Sequence, residues 1–432
     1  MVTASIYTLG CRLNQADSAL IADDLRRHGF SIREWGEPTD LTIVNSCTVT
    51  TAAEQKTRQA VRAARRLNPQ TYLVLAGCSA NIDADRWLKE SAIDLVVPNP
   101  GKTGLTAFLP AKLDRPPAPV LASPLETASA PLFEEQGCGY YPHHTRANLK
   151  IQEGCDFFCS YCIVPYARGI PRSRDWDDIL REARALLQEG HKELVLTGVN
   201  IACYNDHGRT LSDLLRELVR LPGDYRIRLS STEPREEVPR LLKTLHDNPR
   251  ICRSLHLPIQ YGEDTILQAM NRRYSVAEFT DLIQQAVVTV PGICIGSDVI
   301  VGFPGETDAT FATCLETIAD LPFAYLHVFR YSKRAGTPAA RLPNQVNGKL
   351  AARRHEALTA LATRKSMAFA EEFVGRSVEV LTETQKEDGA WEGWSSEYLR
   401  VELGGNGHDI GKNQFAHAKV TRALGGRHVR AL

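Results

Sequence analysis

Cys155, Cys159 and Cys162 fall within one short stretch, EGCDFFCSYC, separated by three residues and then by two. Thiolates are soft ligands that select zinc, copper(I) or iron–sulfur clusters. A tetrahedral zinc site takes four protein ligands, and this stretch holds three cysteines and no histidine. A 4Fe–4S cluster normally takes four cysteines. With three, one iron keeps an open position, which belongs to a metal centre that does chemistry rather than bracing a fold. Cys11, Cys47 and Cys78 form a second group: each follows a strand-like run, SIYTLG, LTIVNS and TYLVLAG. In an open parallel sheet, ligands bind beyond the carboxyl ends of the strands, so these three thiols are expected to converge on one edge. Cys138, Cys252, Cys294 and Cys314 read as small buried hydrophobes, and so does Cys203, although it follows a strand and could face a cavity.

The elements that must position these residues follow from periodicity. The first hundred residues alternate apolar strands with amphipathic runs such as ADSALIADDLRRHGF and TAAEQKTRQAVRAARRLN, the pattern of a parallel sheet flanked by helices. A stretch rich in proline, alanine and serine then breaks the rhythm and reads as a linker. Six further strand candidates follow: ANLKIQ, KELVLTG, YRIRLSS, SLHLPI, GSDVIVGF and AYLHVFRY. With helices between them they predict a barrel or partial barrel whose function sits at the carboxyl ends of the strands. The triple-cysteine stretch follows the first of them. The last sixty or so residues are short β-branched and aromatic segments between glycine turns, expected as a small antiparallel β-barrel. The fold class is therefore α/β with a β-barrel appendage, divided as 1–112, a linker 113–142, a core 143–372 and a C-terminal unit 373–432.

Composition narrows the class of function. Lys+Arg and Asp+Glu both number 51, so nucleic-acid binding must come from a local patch rather than a global basic field. MVTASIYTLGC has no basic and apolar leader, and no apolar run reaches a membrane span, so a cytoplasmic protein without membrane contact is expected. There thiols stay reduced, and disulfides are not expected.

The C-x₃-C-x₂-C spacing with Tyr161 before the last cysteine resembles the radical S-adenosylmethionine (SAM) enzymes. Together, TLGCRLNQADS, NSCTVT, LAGCSA and GCDFFCSYCIVPYARG resemble the methylthiotransferase branch of that superfamily, as do the later LTGVNI, LSSTEP, HLPIQYG, MNRRYS, VIVGFPGET and YSKRAGTPAA. The resemblance implies an N-terminal domain holding an auxiliary 4Fe–4S cluster on Cys11, Cys47 and Cys78. It also implies a radical SAM core with a SAM-binding 4Fe–4S cluster on Cys155, Cys159 and Cys162, and a C-terminal RNA-binding TRAM barrel. Tyr161, Gly198, Asn200, Glu233 and Gln260 would lie around SAM. The implied reaction replaces an unactivated C–H bond by C–SCH₃, work that falls to the cofactors because no side-chain base removes such a hydrogen. Tyr261 and Glu263, where relatives often have serines, imply an altered pocket wall, and Arg330 replaces a frequent proline.

TLGCRLNQADS with NSCTVT most resembles the enzymes acting on N6-threonylcarbamoyladenosine beside the tRNA anticodon. The partners implied are the anticodon stem-loop and an electron donor of flavodoxin or ferredoxin type. N6-isopentenyladenosine tRNA and a ribosomal-protein aspartate are alternative substrates, and a zinc- or cluster-stabilised RNA-binding protein without catalysis is a distant alternative. For RNA, Arg168, Arg172 and Arg174 after the cluster loop are expected to meet phosphates. Lys419, Arg422, Arg427 and Arg430, with Trp391, Trp394 and Tyr398, are expected to form a single-strand-binding face. Removing residues beyond Val374 is then expected to weaken tRNA binding and leave SAM cleavage.

Overall fold

The computed structural model describes residues 1–122, 137–142, 144–404 and 410–432. Six parallel strands form the N-terminal sheet: β1 (Thr3–Thr8), β2 (Ser31–Arg33), β3 (Leu41–Ser46), β4 (Tyr72–Gly77), β5 (Leu95–Val97) and β6 (Val120–Leu121), in the order β2-β1-β3-β4-β5-β6. β3 and β4 are buried along their whole length, as expected of central parallel strands covered on both faces. Helix α1 (Arg12–Arg27) packs Ile21 and Leu25 on one face, and α2 (Thr51–Leu67) packs Ala60, Val61 and Ala64 on the other. Thr50 caps α2, its hydroxyl accepting from the Ala53 amide at 3.1 Å. β6 lies inside the stretch read as linker and carries the sheet past residue 112. Residues 123–136 of that stretch lie outside the described residues, and 137–142 run along α1, the Tyr140 amide donating to Ala19 O at 3.1 Å.

All six expected barrel strands form, at Arg146–Lys150, Glu193–Thr197, Arg226–Leu229, Ser254–His256, Cys294–Val301 and Tyr325–Arg330. They make two parallel sheets of three strands. Isolated bridges Ile227↔Ile251 and Ser231↔His256 join the two. The first and sixth strands are not paired, so the barrel is open along one side, and α1 packs against the first strand there. Side chains alternate along the sixth strand. Leu326 and Val328 pack outward on the core, while His327 and Phe329 are exposed on the inner face.

Five strands close the C-terminal barrel, in the order Ser377–Gln385, Trp391–Ser395, Arg400–Leu403, His428–Ala431, Phe415–Gly425. Its turn after Ser395 seats at the amino ends of the large barrel. Buried Arg226 and Arg228 are held by Glu193 (2.6 and 2.7 Å) and donate to the carbonyls of Trp394 (2.8 Å) and Ser395 (2.9 Å). The small barrel is thus a floor, not a detachable arm. Truncation beyond Val374 would bare Arg226, Arg228 and the core around Cys294, so it is expected to disturb the large barrel as well as RNA binding.

Candidate active site between two cysteine trios

β1, β3 and β4 are neighbours in the sheet, so Cys11, Cys47 and Cys78 emerge side by side. Gly10 (φ +93°) makes room for the second: a Cβ there would lie 2.8 Å from Cys47 Sγ. Asn14 ties the loops together, donating to Leu9 O at 2.7 Å and to Ser46 O at 2.9 Å. The Ser46 hydroxyl accepts from the Ser79 amide at 3.1 Å beside Cys78. Burial, with the charges of Cys78 and Cys11, raises the Cys47 thiol to about 11.

Cys155, Cys159 and Cys162 lie on the loop after the first barrel strand. Burial pushes Cys155 up to about 11 and Cys162 to about 12, with Cys159 adding to both. The Arg272 guanidinium donates to Cys159 Sγ at 3.1 Å and pairs with Glu233. Tyr161 is packed beside this pair, its hydroxyl pushed well above the usual range first by burial, then opposed by Arg272. Asn200 is fully buried: its Oδ1 accepts from the Glu233 amide at 3.4 Å, and its Nδ2 has no partner. Gly198 lets Gln152 approach, since a Cβ would stand 2.9 Å from Gln152 Oε1. Gln260 is buried on the fourth-strand side with φ +66°, a strained conformation for a residue that is not glycine. Tyr161 and Glu233 therefore meet Cys159 at Arg272, with Asn200 against Glu233, whereas Gly198 packs on Gln152 and Gln260 follows the fourth strand, neither shown in contact with that group.

A buried ionic seam joins α1, beside the first trio, to the residues that flank the second, Glu153 before it and Arg168 after it. Asp17 of α1 lies 2.5 Å from Lys102, 2.8 Å from Lys150 and 3.0 Å from Arg168. Glu153 takes Lys150 at 2.9 Å and Arg168 at 2.7 Å. Burial opposes ionisation of Asp17, yet the three cations outweigh it and hold the carboxyl far below its ordinary range. Burial lowers Lys102, and Arg168 adds to that. Arg168 sits within the fields of Cys78 and Cys11. Asn99 bridges the two sides, donating to Ala167 O at 2.6 Å and to Cys78 Sγ at 3.5 Å. Arg334 binds Thr48 beside Cys47 at 2.7 Å from the loop after the sixth strand.

Several expectations fail on burial. Arg168 and Arg174 cannot meet phosphates: the first belongs to the seam, and the second is fully buried against Asp178 and Glu182. Arg172 lies 3.8 Å from Glu153. On the small barrel, Lys419 and Arg422 are exposed, but Arg430 pairs with Glu402 and Trp391 packs on the core. Arg427 turns inward, its guanidinium 3.8 Å above the Tyr325 ring. Tyr261 is a core residue and Glu263 caps the helix Asp264–Ala269, so neither alters a pocket wall. A basic and aromatic surface does exist elsewhere. A cleft of about 920 Å³ between α1, residues 140–142, the first barrel strand and the small barrel is lined by Arg12, Trp35, Tyr140, Arg146, Trp394 and Tyr398. Sequence reasoning missed Arg272, Asp17, Lys102 and Asn99. MNRRYS offered two adjacent arginines, but nothing in the chain order placed Arg272 against Cys159, 113 residues away.

The donor set also bears on which metal group fits. A closed zinc site holds its sulfurs about 3.8 Å apart, given Zn–S bonds of about 2.3 Å at tetrahedral angles. Among the described residues, the sets of three such ligands within 4.8 Å of one another are His256/Asp298/His327 and Glu392/Glu402/His428; neither cysteine trio is that tight. Three sulfur donors in each trio suit a cluster with one open position, and the orphaned Asn200 amide suits a ligand with an acceptor.

Residues 149–318 match the Radical SAM superfamily, and residues 3–98 match the uncharacterized protein family UPF0004. The threonylcarbamoyladenosine tRNA methylthiotransferase MtaB of Bacillus subtilis (strain 168) is 34% identical over 98% of this chain and 94% of its own length. The chain belongs to the radical SAM tRNA methylthiotransferase family. Its Thermotoga maritima relative, also an MtaB, is 33% identical over 94% of this chain and 92% of the relative. A tRNA-2-methylthio-N(6)-dimethylallyladenosine synthase of Cereibacter sphaeroides (strain ATCC 17029 / ATH 2.4.9) is 34% identical over 88% and 86%. The radical SAM methyltransferase TsrM from Kitasatospora setae, solved with cobalamin and a [4Fe-4S] cluster, shares the fold at a TM-score of 0.56 and 15% identity, covering 78% of this chain and 76% of that one. The chain is thus a radical SAM tRNA methylthiotransferase, and its cofactors are SAM and 4Fe–4S clusters, two in enzymes of this type. No described helix is long and apolar enough to cross a membrane.

Proposed function

We propose that the chain converts N6-threonylcarbamoyladenosine next to the tRNA anticodon to its 2-methylthio derivative. Cys155, Cys159 and Cys162 would hold the SAM-binding cluster, and Cys11, Cys47 and Cys78 the auxiliary one. When bound, clusters and SAM supply one-electron chemistry that activates a C–H bond and delivers sulfur and methyl. The chain's own residues bind, orient and exclude water. With three thiolates each, the trios would leave a position on either cluster for an outside ligand. Asn200 and Glu233 offer a donor and an acceptor to the amino-acid end of SAM, with Tyr161, Gly198 and Gln260 at its borders. Arg272 balances the charge on Cys159. The seam excludes water where α1 meets the first barrel strand, and bound substrate and cofactors would have to cover exposed Cys11, since a reactive radical requires a dry site.

Support comes from Asn99 and Arg168: Asn99 joins Cys78 to the Ala167 carbonyl five residues after Cys162, and Arg168 sits within the fields of Cys78 and Cys11. The cleft with Arg12, Arg146, Trp394 and Tyr398 suits the anticodon stem-loop, in which unpaired bases stack on aromatic side chains. In this reading the enzyme is cytoplasmic, takes electrons from a flavodoxin- or ferredoxin-type donor, and its units divide at 1–112, 113–142, 143–372 and 373–432, β6 being an outlying strand of the first. Anaerobic iron and sulfide analysis with nucleoside mass spectrometry tests it. About eight irons per chain and a methylthio product from threonylcarbamoyl-tRNA are expected. Zinc-loaded protein without SAM cleavage, or turnover of dimethylallyl-tRNA alone, would refute it.

A further inference from the structure

Inside the large barrel, beside the auxiliary trio, two cations stand without a counter-charge. Arg12 follows Cys11 directly and donates to the Tyr398 hydroxyl at 2.5 Å. Arg427 comes in from the floor, its guanidinium 3.8 Å over Tyr325 and 4.7 Å over Tyr398, and donates to Tyr398 O at 3.1 Å. Among the described residues neither has a carboxylate within ion-pair distance, whereas the buried arginines Arg168, Arg174, Arg226, Arg228, Arg272, Arg334 and Arg354 all do. His256, Asp298 and His327 complete the wall from three adjacent strands. His256 is engaged at both nitrogens, with Ser231 Oγ and Asp298 Oδ1 each at 3.1 Å, so Asp298 is occupied by its histidine. His327 is exposed to the chamber, 5.2 Å from Tyr325 and 5.8 Å from His256, ring to ring. Burial lowers its pKa; Asp298 opposes this, while His256, Arg427 and Arg12 add to it, so the ring, which offers a neutral N–H donor, shares one space with the two guanidiniums.

Guanidiniums stacked on tyrosines and half withdrawn from water are preorganised for a planar anion. We propose that Arg12, Arg427 and His327 form a receptor for the carboxylate of the N6 substituent on the target adenosine. This rests on the nucleoside assigned above and explains how it is chosen. C2, where sulfur enters, and C6, which carries the substituted nitrogen, both adjoin N1 of the purine. A receptor that includes Arg12, the residue after Cys11, could therefore hold the substituent while C2 faces the trio. A dimethylallyl group has no charge to offer and would strip water from two guanidiniums without replacing it, which disfavours it.

The test uses anaerobically reconstituted full-length enzyme and three anticodon stem-loops, carrying threonylcarbamoyladenosine, its carboxyl methyl ester, or dimethylallyladenosine. The readout is kcat/KM for methylthiolation. Wild type should prefer the acid over the ester by about 10- to 100-fold, the range of a lost charge-assisted hydrogen bond. That preference should collapse toward one in Arg427→Gln and in Arg12→Gln, and remain intermediate in Arg427→Lys, which keeps a point charge. About eight irons per chain in each variant would exclude misfolding. Equal use of acid and ester by wild type, or an unchanged preference in Arg427→Gln, would overturn the receptor while leaving the nucleoside assignment standing. Turnover of the dimethylallyl stem-loop with none of the acid would instead sink the assignment itself.

Discussion

Replacing Asp17 by asparagine changes a charge and almost no volume at the seam between α1 and the barrel. The amide would leave Glu153 as the carboxylate facing Lys102, Lys150 and Arg168, all buried. Removing one partner of a buried ion pair costs about 3–5 kcal/mol. At about 1.4 kcal/mol per decade, the open seam becomes some two to three and a half orders of magnitude more populated. The pH dependence follows from Lys102, whose pKa burial already lowers and Asp17 partly restores. A lysine with a folded pKa below its unfolded one binds fewer protons when folded, so stability rises with pH between the two values, the upper being about 10.4. The deficit in Asp17→Asn should therefore be largest near pH 7 and shrink toward pH 10. In wild type the depressed Asp17 carboxyl contributes stability that is complete above its unfolded pKa of about 3.9, so this group adds no slope between about pH 5 and 8. Hydrogen–deuterium exchange of α1 and of strand Arg146–Lys150, as the ratio of variant to wild type at each pH, reads the effect. Equal protection at pH 7, or a deficit that persists unchanged at pH 9.5, would refute the argument.

Gly10→Ala should break the auxiliary trio, because the new methyl lies 2.8 Å from Cys47 Sγ at a φ of +93°; iron analysis should fall from about eight toward about four per chain. Cys159→Ala should abolish dithionite-driven SAM cleavage, with a similar loss of iron. In the metal-free protein, raised thiols resist alkylation: at pH 8 iodoacetamide should label exposed Cys11 well before Cys47, Cys155 and Cys162, read by peptide mass spectrometry, and labelling of Cys47 and Cys155 should accelerate as pH approaches about 11. Arg228→Met should destabilise the union of the two barrels by about 3–5 kcal/mol, since it leaves Glu193 buried with one fewer cation; a lowered urea midpoint checks it.

The strands and the cysteines were legible because short apolar runs, three of them ending in a thiol, are local features. All six barrel strands lie where the sequence puts them, and β1, β3 and β4 proved to be neighbours, which aligned their cysteines. What the chain order concealed was non-local. Asp17 and Lys150 are 133 residues apart, so nothing near either reveals the pair. Arg168 and Arg174 looked like solvated cations because a charged loop ordinarily is one; their burial depends on acids presented by distant or helical neighbours. β6 was hidden in a proline-rich stretch because a two-residue edge strand has no periodicity to read. The floor was missed because a small β-barrel in sequence does not declare what it leans on.

Helix α1 starts one residue after Cys11 and carries Asp17 less than two turns later. A single rigid rod therefore fixes the spacing between the sulfur-bearing edge and the barrel wall. Severing Asp17 from Lys150 and Arg168 would free that rod to tilt, and the sulfur-bearing edge would swing with it.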